Sequence, residues 1–226
     1  AQENRLNGTL PLELGRLTAL TLLDIHSNAF TGTLPTVLGQ MKNMLNVRLY
    51  DNSFTGTLPS ELGELVMLQY FNPSTNKLTG IIPTQLAQLT ALTLLALNTN
   101  FMTGTLPTEL GLLTNLLKFV VQENMLTGTL PTEFGQLGQL QALSVRTNNL
   151  TGSLPTILSD LTSLKSFWFY QNNLTGSVDD ILCTDDFDWV NLEGDCLPSN
   201  ASGSEIECSC CTKCCNVDGE QCTTMV

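Results

Sequence analysis

Leucine-type residues recur along this chain in fixed columns. Leu10, Leu34, Leu58, Ile82, Leu106, Leu130, Leu154 and Val178 stand 24 positions apart, and after each the apolar residues return at intervals of three or four. Eight glycines keep the same step, at Gly8, Gly32, Gly56, Gly80, Gly104, Gly128, Gly152 and Gly176. Self-similarity at such a period predicts a solenoid in which one short unit is stacked on copies of itself. One full copy reads Asn100, Met102, Thr103-Gly104-Thr105-Leu106-Pro107, Leu110, Leu113, Leu116, Phe119 and Val121. The segment before each Asn ends in period-two alternation, as in Leu92-Thr93-Leu94-Leu95-Ala96-Leu97, and predicts a short strand of a parallel sheet. The Thr-Gly-Thr-Leu-Pro stretch is expected to be extended, its proline limiting pairing. The run from proline to the next leucine, such as Thr108-Glu109-Leu110-Gly111-Leu112-Leu113, predicts a helical or 3₁₀ turn on the outer side. Pro73 stands where other coils carry Ile25, Leu49 or Leu97, so a local defect is expected in the sheet there.

A single coil offers about seven apolar side chains worth roughly 1.5–3 kcal/mol each on burial. Ordering its backbone costs about 1–2 kcal/mol per residue. One coil therefore cannot fold alone, and stacking is obligatory. The Asn column, Asn4 through Asn172, is expected to be a ladder whose amides satisfy backbone groups at the bend after each strand.

The pattern L-x-x-L-x-L-x-x-N-x-x-T-G-x-L-P-x-x-L-G-x-L resembles the plant-type extracellular leucine-rich repeat over residues 4–182. Together with the cysteine-dense end, Cys208-Ser209-Cys210-Cys211-Thr212-Lys213-Cys214-Cys215, it is similar to secreted leucine-rich repeat proteins of diatoms. The resemblance implies a leucine-rich repeat solenoid over 1–182, a curved right-handed α/β superhelix with short parallel strands on the concave face and 3₁₀ or helical turns outside. An acidic, disulfide-rich cap is expected over 183–226. Plant members begin with a cysteine-bearing cap, and nothing like it precedes Leu6, which fits a fragment or a processed form whose first coil exposes its core edge.

Charge is divided unevenly. The net value of -12 conceals 8 basic and 10 acidic residues in 1–178, against 1 basic and 11 acidic in 179–226. No basic stripe is present, which argues against nucleic acid as a partner. No apolar run of about 18 residues offers a membrane span. All eight cysteines, Cys183, Cys196, Cys208, Cys210, Cys211, Cys214, Cys215 and Cys222, follow the repeats, where a loop-rich cap needs staples that the solenoid does not. Four disulfides are the expected state, with connectivity open; the rival is a thiolate cluster for zinc or copper(I). The sequons at Asn7, Asn149, Asn173 and Asn200 agree with an extracellular or cell-surface location and with glycosylation.

Residues between the buried leucines of the strands are expected to face the inside of the curve, where solenoids bind partners. Those columns hold all three tyrosines, Trp168 and three of the eight solenoid cations. Aromatic and Arg anchors are what interfaces enrich, so the candidate partner-binding residues are Arg48, Tyr50, Tyr70, Lys118, Gln122, Arg146, Trp168 and Tyr170. A second surface is the threonine ladder of Thr31, Thr33, Thr55, Thr57, Thr103, Thr105, Thr127 and Thr129, whose flat hydroxyl array resembles ice-binding solenoids. Catalysis is not expected: His26 is the only histidine, and Asp24 and Ser27 beside it do not make a triad. The acidic run Asp179, Asp180, Asp185, Asp186 and Asp188 lacks the spacing and central Gly of an EF-hand loop, so it is expected to be a solvated acidic cap without metal. No cofactor is implied. The expected function is extracellular recognition or adhesion, binding a protein, peptide or glycan on the concave face. The alternatives are ice or mineral binding through the threonines, or a cell-wall structural or hydrolase-inhibiting role.

Overall fold

A computed structural model describes residues 4–184, 187–195, 206–215 and 222–224. Each coil follows the order strand, turn, second strand, 3₁₀ turn. The first strands, Leu22–Asp24, Asn46–Arg48, Tyr70–Asn72, Leu94–Ala96, Lys118–Val120, Ala142–Ser144 and Ser166–Trp168, form one parallel sheet in which each residue lies beside the one 24 positions on, as Leu23 beside Val47. The Thr-Gly-Thr stretches, expected to be extended, also pair with one another from coil to coil. Asn7–Gly8, Ala29–Thr33, Ser53–Gly56, Lys77–Gly80 and Phe101–Met102 form one parallel sheet. Thr127–Gly128, Asn149–Ser153, Asn173–Ser177 and Ile206–Glu207 form another. These strands stop before each Leu-Pro, because proline has no N–H to give to a ladder. Seven five-residue 3₁₀ helices, from Leu12–Arg16 to Thr156–Asp160, close the outer side.

The apolar columns fill the space between these layers, with Leu, Phe, Met and Val side chains from every coil joined in one buried cluster. The Asn ladder is built as expected. Asn100 accepts the Leu78 N–H on Oδ1 at 3.0 Å and donates from Nδ2 to the carbonyls of Leu97 at 3.1 Å, Asn98 at 3.2 Å and Pro73 at 3.2 Å. The amide thus ties its own coil to the preceding one. The residue before each of these Asn, such as Thr99 or Glu123, takes a left-handed φ of 50–57° to make the bend. Pro73 produces the expected defect: only Tyr70 and Phe71 of its strand keep their partners in the next coil, where neighbouring strands keep three.

The glycine column explains the threonines. Gly56 has φ +73°, and a Cβ there would lie 2.8 Å from the Thr33 Cγ2 methyl of the preceding coil. The methyl occupies the space that a side chain would need. Gly104 meets Ile81 Cγ2 in the same way, at 2.7 Å, so a β-branched residue serves the packing whether or not it carries a hydroxyl.

The cap continues the first sheet beyond the repeats. Asn191–Asp195 lies parallel to Ser166–Trp168, Lys213–Cys215 follows, and Cys222–Thr224 closes the edge antiparallel. Asp195 succeeds the Asn ladder, accepting the N–H groups of Gln171 at 2.7 Å and Asn172 at 3.1 Å. Among the described residues two disulfides, Cys183–Cys210 and Cys208–Cys211, fasten it, and they account for three sulfurs, Cys183, Cys208 and Cys210, gathered within 4.8 Å. Cys196, Asp185, Asp186 and Asn200 lie outside the described residues, as do the side chains of Cys214, Cys215 and Cys222. At the opposite end Leu6 and Leu17 are exposed, although their columns are buried in later coils, as at Leu78 and Leu89.

Candidate functional site on the concave sheet

Two polar-aromatic clusters stand on the sheet formed by the first strands. In the first, Asp24 and Arg48 end adjacent strands, and Tyr70 opens the third. His26 Nδ1 lies 2.5 Å from Asp24 Oδ1, and its ring stacks on Tyr50 with centroids 4.3 Å apart. Arg48 donates to Asp24 Oδ2 at 3.3 Å and lies over the Tyr70 ring at 5.2 Å. His26 is buried, and its ring forms a wall of the cluster. Burial by itself raises the Asp24 pKa, but the hydrogen bond and charge of His26 and the charge of Arg48 outweigh it, and the carboxyl titrates below its ordinary value. A group whose folded pKa is depressed contributes stability above its unfolded pKa and loses it as pH falls through the folded one. Acidification below about pH 4 should therefore lower the melting temperature of the wild type more steeply than that of Asp24→Asn. Parallel slopes in thermal melts across that range would show that Asp24 is not coupled to folding.

The second cluster lies toward the cap. Arg146 donates to Glu123 Oε1 at 2.7 Å and lies 5.5 Å from the Tyr170 ring centre. Ser144 donates to Gln122 Oε1 at 2.6 Å, and Thr147 to Gln171 Oε1 at 2.6 Å. Trp168 is half-buried and lies in register with Glu193 of the cap. Glu193 is buried and receives Lys213 Nζ at 3.2 Å. Asn191, Glu193 and Lys213 are thus members of the face that sequence reading missed, because no repeat column reaches them.

Leu94, Ala96 and Ala142 lie between the clusters, and Lys118 projects there, exposed. The eight residues singled out in the sequence fall into these places: Arg48, Tyr50 and Tyr70 in the first cluster, Gln122, Arg146, Trp168 and Tyr170 in the second, and Lys118 between. Four coil steps of about 4.8 Å put Arg48 and Arg146 roughly 19 Å apart along the stack.

The threonine ladder divides by row. The hydroxyls of Thr31, Thr55, Thr127 and Thr151 donate to the carbonyls of Gly8, Gly32, Gly104 and Gly128 in the preceding coil, at 3.2–3.4 Å. Thr33, Thr57, Thr105 and Thr129 hold their methyls against the glycines. Much of the array is therefore committed to stacking the coils. Thr103 is exposed beside them. The sequon residues Asn7, Asn149 and Asn173 are exposed on the same sheets.

These features define a leucine-rich-repeat solenoid. The family model for the Leucine Rich Repeat matches residues 19–41. No curated protein matches the chain. Among solved structures the chain is similar to the plant peptide hormone receptor RGFR1 in complex with RGF2, at 34% identity, with 78% of this chain and 28% of that one covered and a TM-score of 0.78. It is also similar to the Arabidopsis receptor kinase HAESA ectodomain in complex with an N-terminally extended IDA peptide hormone, at 32% identity, with 81% and 31% covered and a TM-score of 0.77. A plant ice-binding protein shares the fold at 24% identity, with 89% and 74% covered and a TM-score of 0.69. The chain spans about a third or less of the two receptor chains. No helix among the described residues is long and apolar enough to cross a membrane.

Proposed function

We propose that the protein recognises an extended peptide, or an extended segment of a secreted protein, on the concave sheet outside the cell, without catalysing a reaction. The observation that carries this reading is the pair of Arg-Tyr clusters, each held by its own ion pair, with exposed Lys118 between them. At about 3.3 Å per residue, six residues of extended chain bridge the roughly 19 Å between them. Such a ligand sets one side chain against each aromatic wall while its backbone crosses the stretch between them, past Lys118. Preorganisation helps because the ring and guanidinium groups lose little freedom on binding. Both receptors at 30% identity or more named above were solved with peptide hormones, which supports the same class of ligand for this chain. Each cation of the clusters already faces a carboxylate, so the surface favours polar and aromatic side chains over strongly charged ones.

The test is selection of binders from a library of random eight-residue linear peptides displayed against the full chain. Selected peptides should lose at least about tenfold in affinity, or 1.4 kcal/mol, on Trp168→Ala or Arg146→Ala, while the melting temperature changes little because both side chains are only partly buried. Peptides that bind both variants as tightly as wild type would sink the assignment.

A further inference from the structure

The strands of the Thr-Gly-Thr stretches form a flank of the solenoid apart from the concave sheet, and one spot on it departs from the repeat. Phe101 and Met125 stand in a column that otherwise holds Ala29, Ser53, Lys77, Asn149 and Asn173, and Ile81 replaces the second threonine of its coil. These side chains are 51%, 43% and 60% exposed, so the core does not require them to be apolar. All three departures surround exposed Thr103. The Thr103 N–H donates to the Gly80 carbonyl and the Met125 N–H to the Met102 carbonyl, both at 2.8 Å. Ile81 and Met125 are thereby set beside Thr103 on either hand, each about 4.8 Å away. Phe101 lies two residues back on the same strand, about 6.6 Å away, and pairs with Thr79. The column continues into Asn149 and Asn173, where the sequons mark the end of the patch.

The flank differs from the rest of the repeats in charge as well. From Asn7 to Ser177 its strands carry no Asp or Glu, and Lys77 is their one cation. The concave sheet carries Asp24 and Glu193, and the 3₁₀ side carries Glu13, Glu61, Glu109 and Glu133. Two copies of a chain with net charge -12 repel one another, and least where carboxylates are absent. Phe, Met and Ile at the centre of an uncharged field of threonines have the composition of an interface core. We propose that this flank docks a second copy of the chain, the same patch on both, in a two-fold dimer with Thr103 near its centre. A charged partner finds only Lys77 to pair with. The strands span about 34 Å over seven coil steps and about 13 Å along the chain, roughly 450 Å² per copy. A stable dimer buries about 800 Å² on each partner, so this dimer is weak and forms at high protein concentration. It leaves the concave sheet of each copy open, and its formation is independent of peptide binding there.

The test is sedimentation equilibrium of the full chain from about 10 μM to about 1 mM. The weight-average mass is expected to rise from that of the monomer toward that of the dimer. Ile81→Thr, Phe101→Ser and Met125→Ser together, each a residue that the same column carries in another coil, should raise the dimer dissociation constant at least about tenfold with the melting temperature unchanged. Thr103→Glu, which sets two carboxylates against each other at the centre, should do the same. Leu112→Gln, at a leucine 58% exposed on the 3₁₀ side, should change nothing. A mass that stays monomeric throughout overturns the proposal, as does a dimer that the flank variants leave intact. So does a loss on Leu112→Gln as large as theirs, the mark of unspecific apolar association. A monomer whose selected peptides lose affinity on Phe101→Ser would assign the flank to another partner and overturn it too.

Discussion

Replacing Asn124 with leucine is expected to destabilise the protein by about 3–5 kcal/mol, since each buried polar group left without a partner costs about 1–3 kcal/mol. Asn124 is 9% exposed. Its Oδ1 accepts the Met102 N–H at 3.0 Å, and its Nδ2 donates to the carbonyls of Val121 at 3.0 Å, Leu97 at 3.1 Å and Gln122 at 3.3 Å. Leucine fills a similar volume and answers none of them. Met102 is fully buried, so an N–H left unpaired there carries the full desolvation cost. Because coils couple only to their neighbours, the damage should be local first: amide exchange at Met102 and in the adjacent coils should quicken before the rest of the molecule unfolds. Urea unfolding together with residue-resolved hydrogen exchange checks both statements. A midpoint equal to that of wild type would mean that the ladder is decoration.

The second large effect is expected at Phe119. Truncation to alanine should cost about 3–5 kcal/mol, because the ring is 1% exposed and packs edge-on against Phe134 with centroids 5.7 Å apart. Leu95 and Leu143 occupy the same column one coil to either side, paired with Phe119 in the sheet. Phe119→Leu should therefore cost less than about 1.5 kcal/mol, as volume-similar exchanges do. The contrast between the two variants, measured by urea unfolding followed by circular dichroism, separates cavity formation from any special need for an aromatic ring. Equal losses in both would point to the ring itself.

Phe119 and Asn124 also mark how far the chain could be read without coordinates. Both sit in columns, and a column carries its role from coil to coil: one core residue or one ladder amide implies all the others. Pro73 was legible for the same reason, as a departure from its column that removes an N–H from a ladder. The Thr-Gly-Thr stretches were only half legible. Their extended form followed from the letters, but their pairing depends on how closely coils stack, and so does the reason for the second threonine. That reason, a methyl filling the place of the absent glycine side chain, appears only when consecutive coils are set against each other, and it explains why Ile81 is accepted there.

The site divides in the same way. The columns placed Arg48, Tyr50, Tyr70, Arg146, Trp168 and Tyr170 on one face, but no periodicity shows that His26 stacks on Tyr50 or that Arg48 turns to Asp24. Those contacts depend on rotamers and on the separation between coils. The cap was least legible. Its sequence shows cysteines and acids, whereas its strands Asn191–Asp195 and Lys213–Cys215 continue the concave sheet and place Glu193 beside Trp168. The sequence by itself determined the solenoid, its period, its core and the side of each coil that faces inward, because a strict repeat makes every local choice reinforce the same stacking. Only the tertiary structure decided which exposed side chains meet, that the Thr-Gly-Thr stretches pair, and that the cap extends the face. Each of these depends on distances between coils that share no local sequence pattern.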